Sequence, residues 1–429
     1  MQRVFIRNFG CRATQADGAA LEGLLEGHGL EVSSVAEADL VILNTCTVTS
    51  EADADVRKSI NRVRRENPEA RILVTGCYAQ RAPEQLSQLP GVTWVVGNSH
   101  KTKIPEILSD HYHGQIHVGD ILQTSEFLSS PVDDAFGGRT RPNLKIQDGC
   151  SNVCSFCIIP SVRGPSRSMA VEQVIRQVRS LARNYREIVL TGINLGRWGR
   201  ERGFLTARRM RFADLLRVLL DQTSVERLRI SSIEPMDLSG DLIELIASEP
   251  RIARHIHAPL QSGADTVLKR MKRRYRVRHY EDRLLKAHAL MPEAAFGADV
   301  MTGFPGETDD EFRQTYDFIQ RMPFTYLHVF TYSERPGTPA SALPQVRLAE
   351  RKRRTRLLRQ LADTKNLTYR ERQIGLRLSA VTMENGVALT TNYLQIQQAR
   401  PRPSNHLVDL EIGALTPDGL AEASPFRFL

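Results

Sequence analysis

Short apolar runs alternate with amphipathic stretches through the first hundred or so residues of the chain. Runs at Arg3–Asn8, Leu40–Asn44, Arg71–Thr75 and Val92–Val96 read as strands. The stretches Ala16–His28, Ala52–Asn67 and Ala82–Leu89 between them read as helices. That rhythm predicts parallel strands with right-handed crossovers, an open α/β sheet, over residues 1–110. The phrase FLSSPVDDAFGGRTRPN, rich in Gly, Pro, Ser and Asp, marks residues 111–141 as a linker. Strand signals then return at Leu144–Gln147, Glu187–Thr191, Arg227–Ser231, Ile256–Leu260, Gly297–Met301 and Leu327–Tyr332. Helical stretches follow most of them, at Val171–Tyr185, Phe212–Thr223, Leu238–Ser248, Ala264–Leu290 (broken) and Asp309–Met322. Six such units fall short of a closed eight-unit barrel. The expectation for residues 142–371 is a partial (β/α)6 barrel with an open side that needs cover, ending in a basic helix over 345–372. Residues 372–429 change period. Runs such as LRLSAVTM, GVALTTNYLQIQ and HLVDLEIGAL alternate and are split by turn signals, which predicts a small β-barrel.

The 429 residues suit several domains, and 41% apolar with 25% charged residues is ordinary for globular protein. A net charge of +9 favours anionic partners, nucleic acid first. Lys and Arg concentrate in KRMKRRYRVR (269–278) and ERKRRTRLLR (350–359). Such runs usually mark a solvated helix face. Two of them beside a small β-barrel point to RNA. No segment approaches the roughly 18–20 apolar residues of a membrane span. The opening MQRVFIRNFGC lacks the apolar core of a signal peptide, so a cytoplasmic location is expected.

Six cysteines fall into two sets of three. Cys150, Cys154 and Cys157 form a C-x3-C-x2-C loop after the first barrel strand. Cys11, Cys46 and Cys77 close the phrases VFIRNFGC, LVILNTC and ILVTGC, each just past a strand. In an open parallel sheet the carboxyl ends of the strands share one edge, where ligands bind. Three cysteines far apart in sequence can meet there. Structural disulfides are rare inside cells, so paired triads point to metal. Three thiolates hold three irons of a cubane and leave the fourth open, which suggests two [4Fe–4S] clusters. Buried structural cysteines are the plain alternative, and the repeated strand-end position argues against it. Structural zinc wants four ligands, and no nearby fourth Cys or His is evident.

Weaker candidates cluster at barrel strand ends. Gly192 in TGIN and Gly303 in GFPGE could let the backbone approach a cofactor, or simply serve turns. Glu234 and Gln261 also follow strands and could reach cofactor or substrate. His255 and His257 share a strand face and could form a metal pair, although such histidines are more often packed and hydrogen-bonded. No Walker loop and no Ser/His/Asp set is present, and no catalytic side chain is assigned.

The scattered triad and the phrase KIQDGCSNVCSFCIIPSVRGPSRS (145–168) go together with EIVLTGIN, RISSIEP, APLQSGADTVLKRM, GFPGET and FTYSERPGT. Together they resemble the radical S-adenosylmethionine methylthiotransferases over almost the whole chain. ILNTCTVTSEAD and KIQDGC look most like the group acting on threonylcarbamoyladenosine at position 37 of tRNA, beside the anticodon. The resemblance implies that Cys150, Cys154 and Cys157 ligate the cluster that cleaves S-adenosylmethionine. Cys11, Cys46 and Cys77 would ligate an auxiliary cluster carrying the sulfur. One S-adenosylmethionine would methylate that sulfur. A second would yield a 5′-deoxyadenosyl radical that takes hydrogen from carbon 2 of the adenine. Implied partners are the tRNA anticodon loop and an electron donor such as flavodoxin or ferredoxin. The C-terminal region resembles a TRAM domain, an RNA-binding barrel. One departure is Thr14, where the family usually has Asn. Sister groups acting on isopentenyladenosine or on a ribosomal-protein aspartate share the fold. A non-catalytic iron–sulfur or zinc RNA-binding protein is the rival from another class.

Overall fold

The computed structural model describes residues 2–109, 113–124, 128, 140–201 and 210–423. The first sheet has six parallel strands. Their order is Glu31–Val32, Arg3–Asn8, Leu40–Thr45, Arg71–Gly76, Val92–Gly97 and Ile116–His117. Leu40–Thr45 is buried on both faces, as a central parallel strand must be. Val41 and Leu43 pack toward the helix Ser50–Glu66, through Val56, Ile60 and Val63. Leu40 and Ile42 pack the other way, with Leu21 and Leu25 of the helix Arg12–Glu26. The edge strand Ile116–His117 comes from the stretch read as a connection. The helix expected over 82–89 forms as Pro83–Ser87, and a further short helix, Cys77–Arg81, precedes it and begins at Cys77 itself.

Six central strands follow: Asn143–Asp148, Glu187–Gly192, Arg227–Ile230, His255–His257, Ala295–Thr302 and Tyr326–Thr331. They form two hydrogen-bonded groups of three parallel strands. Single bridges, Leu228 to Ile252 and Ser232 to His257, join the groups. A short antiparallel strand, Arg167–Ser168, extends the first group and was not foreseen. The fourth strand is shorter than its apolar run, because Pro259 has no N–H to give and Gln261 turns left-handed at φ 63°. One apolar core lies between these strands and the surrounding helices. The open side is covered from both directions. Helix Arg12–Glu26 packs on Asn143–Asp148, and helix Leu348–Glu371 packs on Tyr326–Thr331.

Residues 377–422 close into a barrel of five short strands. One of its turns docks into the base of the central strands, at their amino ends. Tyr393, at φ 63°, stacks on His255 with ring centroids 4.3 Å apart. Arg12 donates to its hydroxyl at 2.9 Å. Arg229 donates to the carbonyls of Thr390 and Thr391 at 2.8 and 3.2 Å. That leaves the opposite end, where the cysteine loop follows Asp148, for a ligand.

Candidate active site

Cys11, Cys46 and Cys77 leave three adjacent parallel strands at one sheet edge. Glycine makes the convergence sterically feasible. A Cβ at Gly10, which sits at φ 91°, would lie 2.4 Å from the Cβ of Cys46. A Cβ at Gly76, φ 99°, would lie 2.4 Å from the carbonyl oxygen of Thr45. Cys11 is exposed, while Cys46 and Cys77 are buried. Burial, then the neighbouring Cys77 and Cys11 thiols, push the Cys46 thiol up to about 12. A thiol held neutral as Cys46 is becomes a thiolate when a cation joins it. The set therefore suits a metal centre better than a free nucleophile.

The second triad sits at the carboxyl end of Asn143–Asp148. Gly149, at φ 68°, passes so close to Pro165 that an added Cβ would lie 2.0 Å from its carbonyl oxygen. Cys157 N donates to Cys154 O at 3.1 Å, which curls the loop and turns its thiols together. Burial, then Cys154 and Cys150, push the Cys157 thiol up to about 12. Polar side chains aim at the sulfurs. Asn194 Nδ2 lies 3.7 Å from Cys150 Sγ, and Arg273 Nη1 lies 3.3 Å from Cys154 Sγ.

Of the weaker candidates, Glu234 belongs to this site, because it pairs with Arg273. Burial raises its pKa despite that partner. Gly192 abuts Gln147, whose side-chain oxygen accepts from Asn194 N at 2.7 Å and so sets the turn that presents Asn194. Gln261 is tied to the next strand through Asp299 O at 2.8 Å. Gly303 is occupied by packing, since a Cβ there would lie 2.4 Å from Arg351 Cγ and its N–H goes to Glu307 at 2.7 Å. His255 is committed to Tyr326, 2.7 Å from its hydroxyl, and burial holds it neutral. It does not form a pair with His257.

The two triads are joined by the helix Ile159–Arg163, which follows the cysteine loop directly. Ile158 and Val162 pack against Cys77. Asn98 Nδ2 bridges Val162 O, at 2.7 Å, and Cys77 Sγ, at 3.6 Å. Arg163 is buried and donates to Asp148 and Asp17, each at 2.9 Å, and to Thr14 Oγ1 at 3.4 Å. Thr14, the departure from the family pattern, lies 3.5 Å from Cys11 Sγ. Lys101 pairs with Asp17 at 3.2 Å, and Lys145 with Asp148 at 2.8 Å. Burial alone would raise both carboxyls, but Lys101, Lys145 and Arg163 outweigh it at Asp17, and Lys145 and Arg163 at Asp148. Both are held well below the usual carboxylate range.

Arg163, Arg273, Asn98 and Asn194 were not singled out from the sequence. Arg273 was hidden inside a basic run that reads as surface. Arg351 and Arg354 in the second run are buried too, and Arg354 binds Glu307 and Asp309 at 2.8 Å each. The basic runs are thus partly internal. Lys269, Lys272, Arg274, Arg276 and Arg278 remain exposed, as do Lys352 and Arg356.

A family model described as the Radical SAM superfamily matches residues 144–319. One described as uncharacterized protein family UPF0004 matches residues 3–97. The chain is 37% identical to the threonylcarbamoyladenosine tRNA methylthiotransferase MtaB of Aquifex aeolicus, over 92% of this chain and 96% of that protein. It is 41% identical to the Bacillus subtilis protein of that name, over 80% and 76%. The tRNA-2-methylthio-N(6)-dimethylallyladenosine synthase of Mycobacterium leprae is 34% identical, over 79% and 68%. Among solved structures, the radical S-adenosylmethionine methyltransferase TsrM of Kitasatospora setae shares the fold, with a TM-score of 0.60 at 15% identity, over 80% of this chain and 75% of that one. No helix of the described residues is long and apolar enough to cross a membrane. With these relatives and this site, the chain belongs to the radical S-adenosylmethionine methylthiotransferases, most like the threonylcarbamoyladenosine tRNA group.

Proposed function

We propose that this protein adds a methylthio group to carbon 2 of threonylcarbamoyladenosine at position 37 of tRNA, in the cytoplasm. The observation that carries the reading is the junction of two cysteine triads through one short helix and one buried ionic network. Cys150, Cys154 and Cys157 would hold the [4Fe–4S] cluster of the family, and Cys11, Cys46 and Cys77 a second one. With S-adenosylmethionine bound, these groups supply a radical able to take hydrogen from an unactivated C–H, and the sulfur to be transferred.

The chain's own residues position and shield. Asn194 and Arg273 donate toward the Cys150 and Cys154 sulfurs, and Asn98 toward Cys77, which orients each ligand. Arg273 also fixes Glu234 beside Cys154. Gln147 and Gly192 set the turn that carries Asn194. Gln261 and Gly303 shape the strand ends beyond it. Ile158 and Val162 keep water from the inner side of Cys77. The exposed cations of 269–278 and the C-terminal barrel offer a surface for tRNA phosphates. Electrons would come from a small carrier such as flavodoxin or ferredoxin.

Anaerobic reconstitution should give about eight irons per chain, and about four after Cys46→Ala. Cys154→Ala should abolish 5′-deoxyadenosine formation, whereas Cys46→Ala should keep it and lose methylthio transfer. Persistent cleavage in Cys154→Ala rules out the assignment. Mass spectrometry of nucleosides from a deletion strain names the substrate. Loss of 2-methylthio-threonylcarbamoyladenosine is expected, and loss of the isopentenyl product instead would overturn the reading.

A further inference from the structure

We propose that His257, Asp299 and His328 form a divalent metal site inside the barrel lumen, separate from both cysteine triads. The lumen position follows from strand alternation. Ile256, Ala298, Val300 and Val329 pack outward into the apolar core, so the residues between them face inward. Three neighbouring strand positions then converge. His257 Nε2 lies 3.4 Å from Asp299 Oδ1, and His328 Nδ1 lies 3.2 Å from that same oxygen. All three ligand atoms lie within 4.8 Å of one another.

The surroundings of His257 are the independent observation. Its side chain is only 7% exposed. Its Nδ1 lies 2.6 Å from Ser232 Oγ. When Ser232 accepts that N–H, Nε2 keeps its lone pair and points into the lumen. There it has no hydrogen-bond partner of ordinary length, only the Asp299 oxygen at 3.4 Å. Among the described residues His255 Nδ1 and His288 Nδ1 are also buried without a partner, but His257 Nε2 differs in facing a carboxylate oxygen that a second imidazole reaches too. A metal ligand oriented through its other ring nitrogen has this arrangement. His255 does not take part, because Tyr326 holds it.

Two imidazoles and one carboxylate on one side of an ion suit first-row divalent metals and leave coordination positions open. His328 is half exposed, which gives the ion a way in. The open positions face the lumen, where an oxygen of a bound nucleotide could complete the shell.

The test uses the tag-free chain with its iron–sulfur clusters loaded and excess iron removed on a chelating column. It is dialysed anaerobically against cobalt(II), and cobalt is counted separately from iron. About one cobalt per chain is expected. His257→Ala and His328→Ala should lose it, with iron content unchanged. Ser232→Ala should weaken binding by roughly 10–100-fold. His328 is exposed enough that its loss should leave the fold intact, so that variant decides if His257→Ala fails to fold. No cobalt retained by the unaltered chain, or equal cobalt in His328→Ala, overturns the site. Either result leaves the iron count and 5′-deoxyadenosine assays, and hence the proposed function, untouched.

Discussion

Glu187 shows how much one buried charge can depend on its neighbours. It is fully buried, with Arg229 at 2.7 Å and Arg141 at 3.1 Å. Burial would raise its pKa, but Arg229, then Arg141 and Arg227, bring it down from 4.5 to about 2. A depressed folded-state pKa contributes stability that is fully present above the unfolded value and lost as pH falls. The window is therefore from about 4.5 down to about 2. At about 1.4 kcal/mol per pKa unit the loss is roughly 3 kcal/mol. Urea unfolding of the cluster-free chain across that range should show it, and Glu187→Gln should flatten this part of the slope. Such a role was not legible in the sequence. Glu187 opens an apolar strand and looks like any acidic residue ending a helix connection. The cysteines were legible because thiol chemistry is confined to one residue type and their spacing is visible in the chain. Arg163, Arg273, Asn98 and Asn194 act by proximity across elements, and that depends on the fold.

Among the elements, regular strands and helices followed from their apolar periods, since burial on one or both faces fixes them. The basic helix Leu348–Glu371 was less transparent. Charge along it does not alternate by face in a way that separates surface from interior, because Arg351 and Arg354 turn inward to acids elsewhere in the chain, Arg351 to exposed Glu334 and Arg354 to buried Glu307. Arg354 reaches Glu307, whose side chain is 1% exposed, and its loss takes away that carboxylate's cation and leaves it the N–H of Gly303. Breaking such a pair costs about 3–5 kcal/mol, whereas exposed Arg356 should change stability by less than about 0.5 kcal/mol. Chemical denaturation of Arg354→Ala and Arg356→Ala should separate them. In tRNA affinity the order should reverse at low salt once folding is controlled for, because only Arg356 can meet phosphate. The C-terminal barrel carries a similar double meaning. Its β-barrel period was readable, but the plugging of the lumen base by Tyr393 was not, since no local pattern marks a turn that docks elsewhere. Removing residues 373–429 would uncover Arg229 and His255, so point changes report on RNA binding more cleanly than truncation.

At the level of the whole molecule, the interface between the first sheet and the central strands is ionic at its heart. Asp17 comes from helix Arg12–Glu26. Its cations come from both sides, Lys101 from its own unit and Lys145 and Arg163 from the central strands and the helix after the cysteine loop. Five buried charges leave one net positive, and an attached cluster of thiolate-bound iron would add the balancing negative charge. Asp17→Asn keeps the shape but leaves three buried cations facing Asp148 alone. The expected cost is about 3–5 kcal/mol, concentrated at this junction. The first sheet should then unfold at lower denaturant than the central strands, turning one transition into two. Cysteine accessibility should report it, with Cys46 and Cys77 becoming reactive before Cys157. Since Cys150, Cys154 and Cys157 keep Asn194 and Arg273, 5′-deoxyadenosine formation should survive in this variant. Methylthio transfer, which under the proposed function uses both triads joined through Arg163 and Asn98, should fall. A single unchanged transition in Asp17→Asn would mean that the apolar contacts of Ile158 and Val162 with Cys77, rather than the ionic network, hold the two units together.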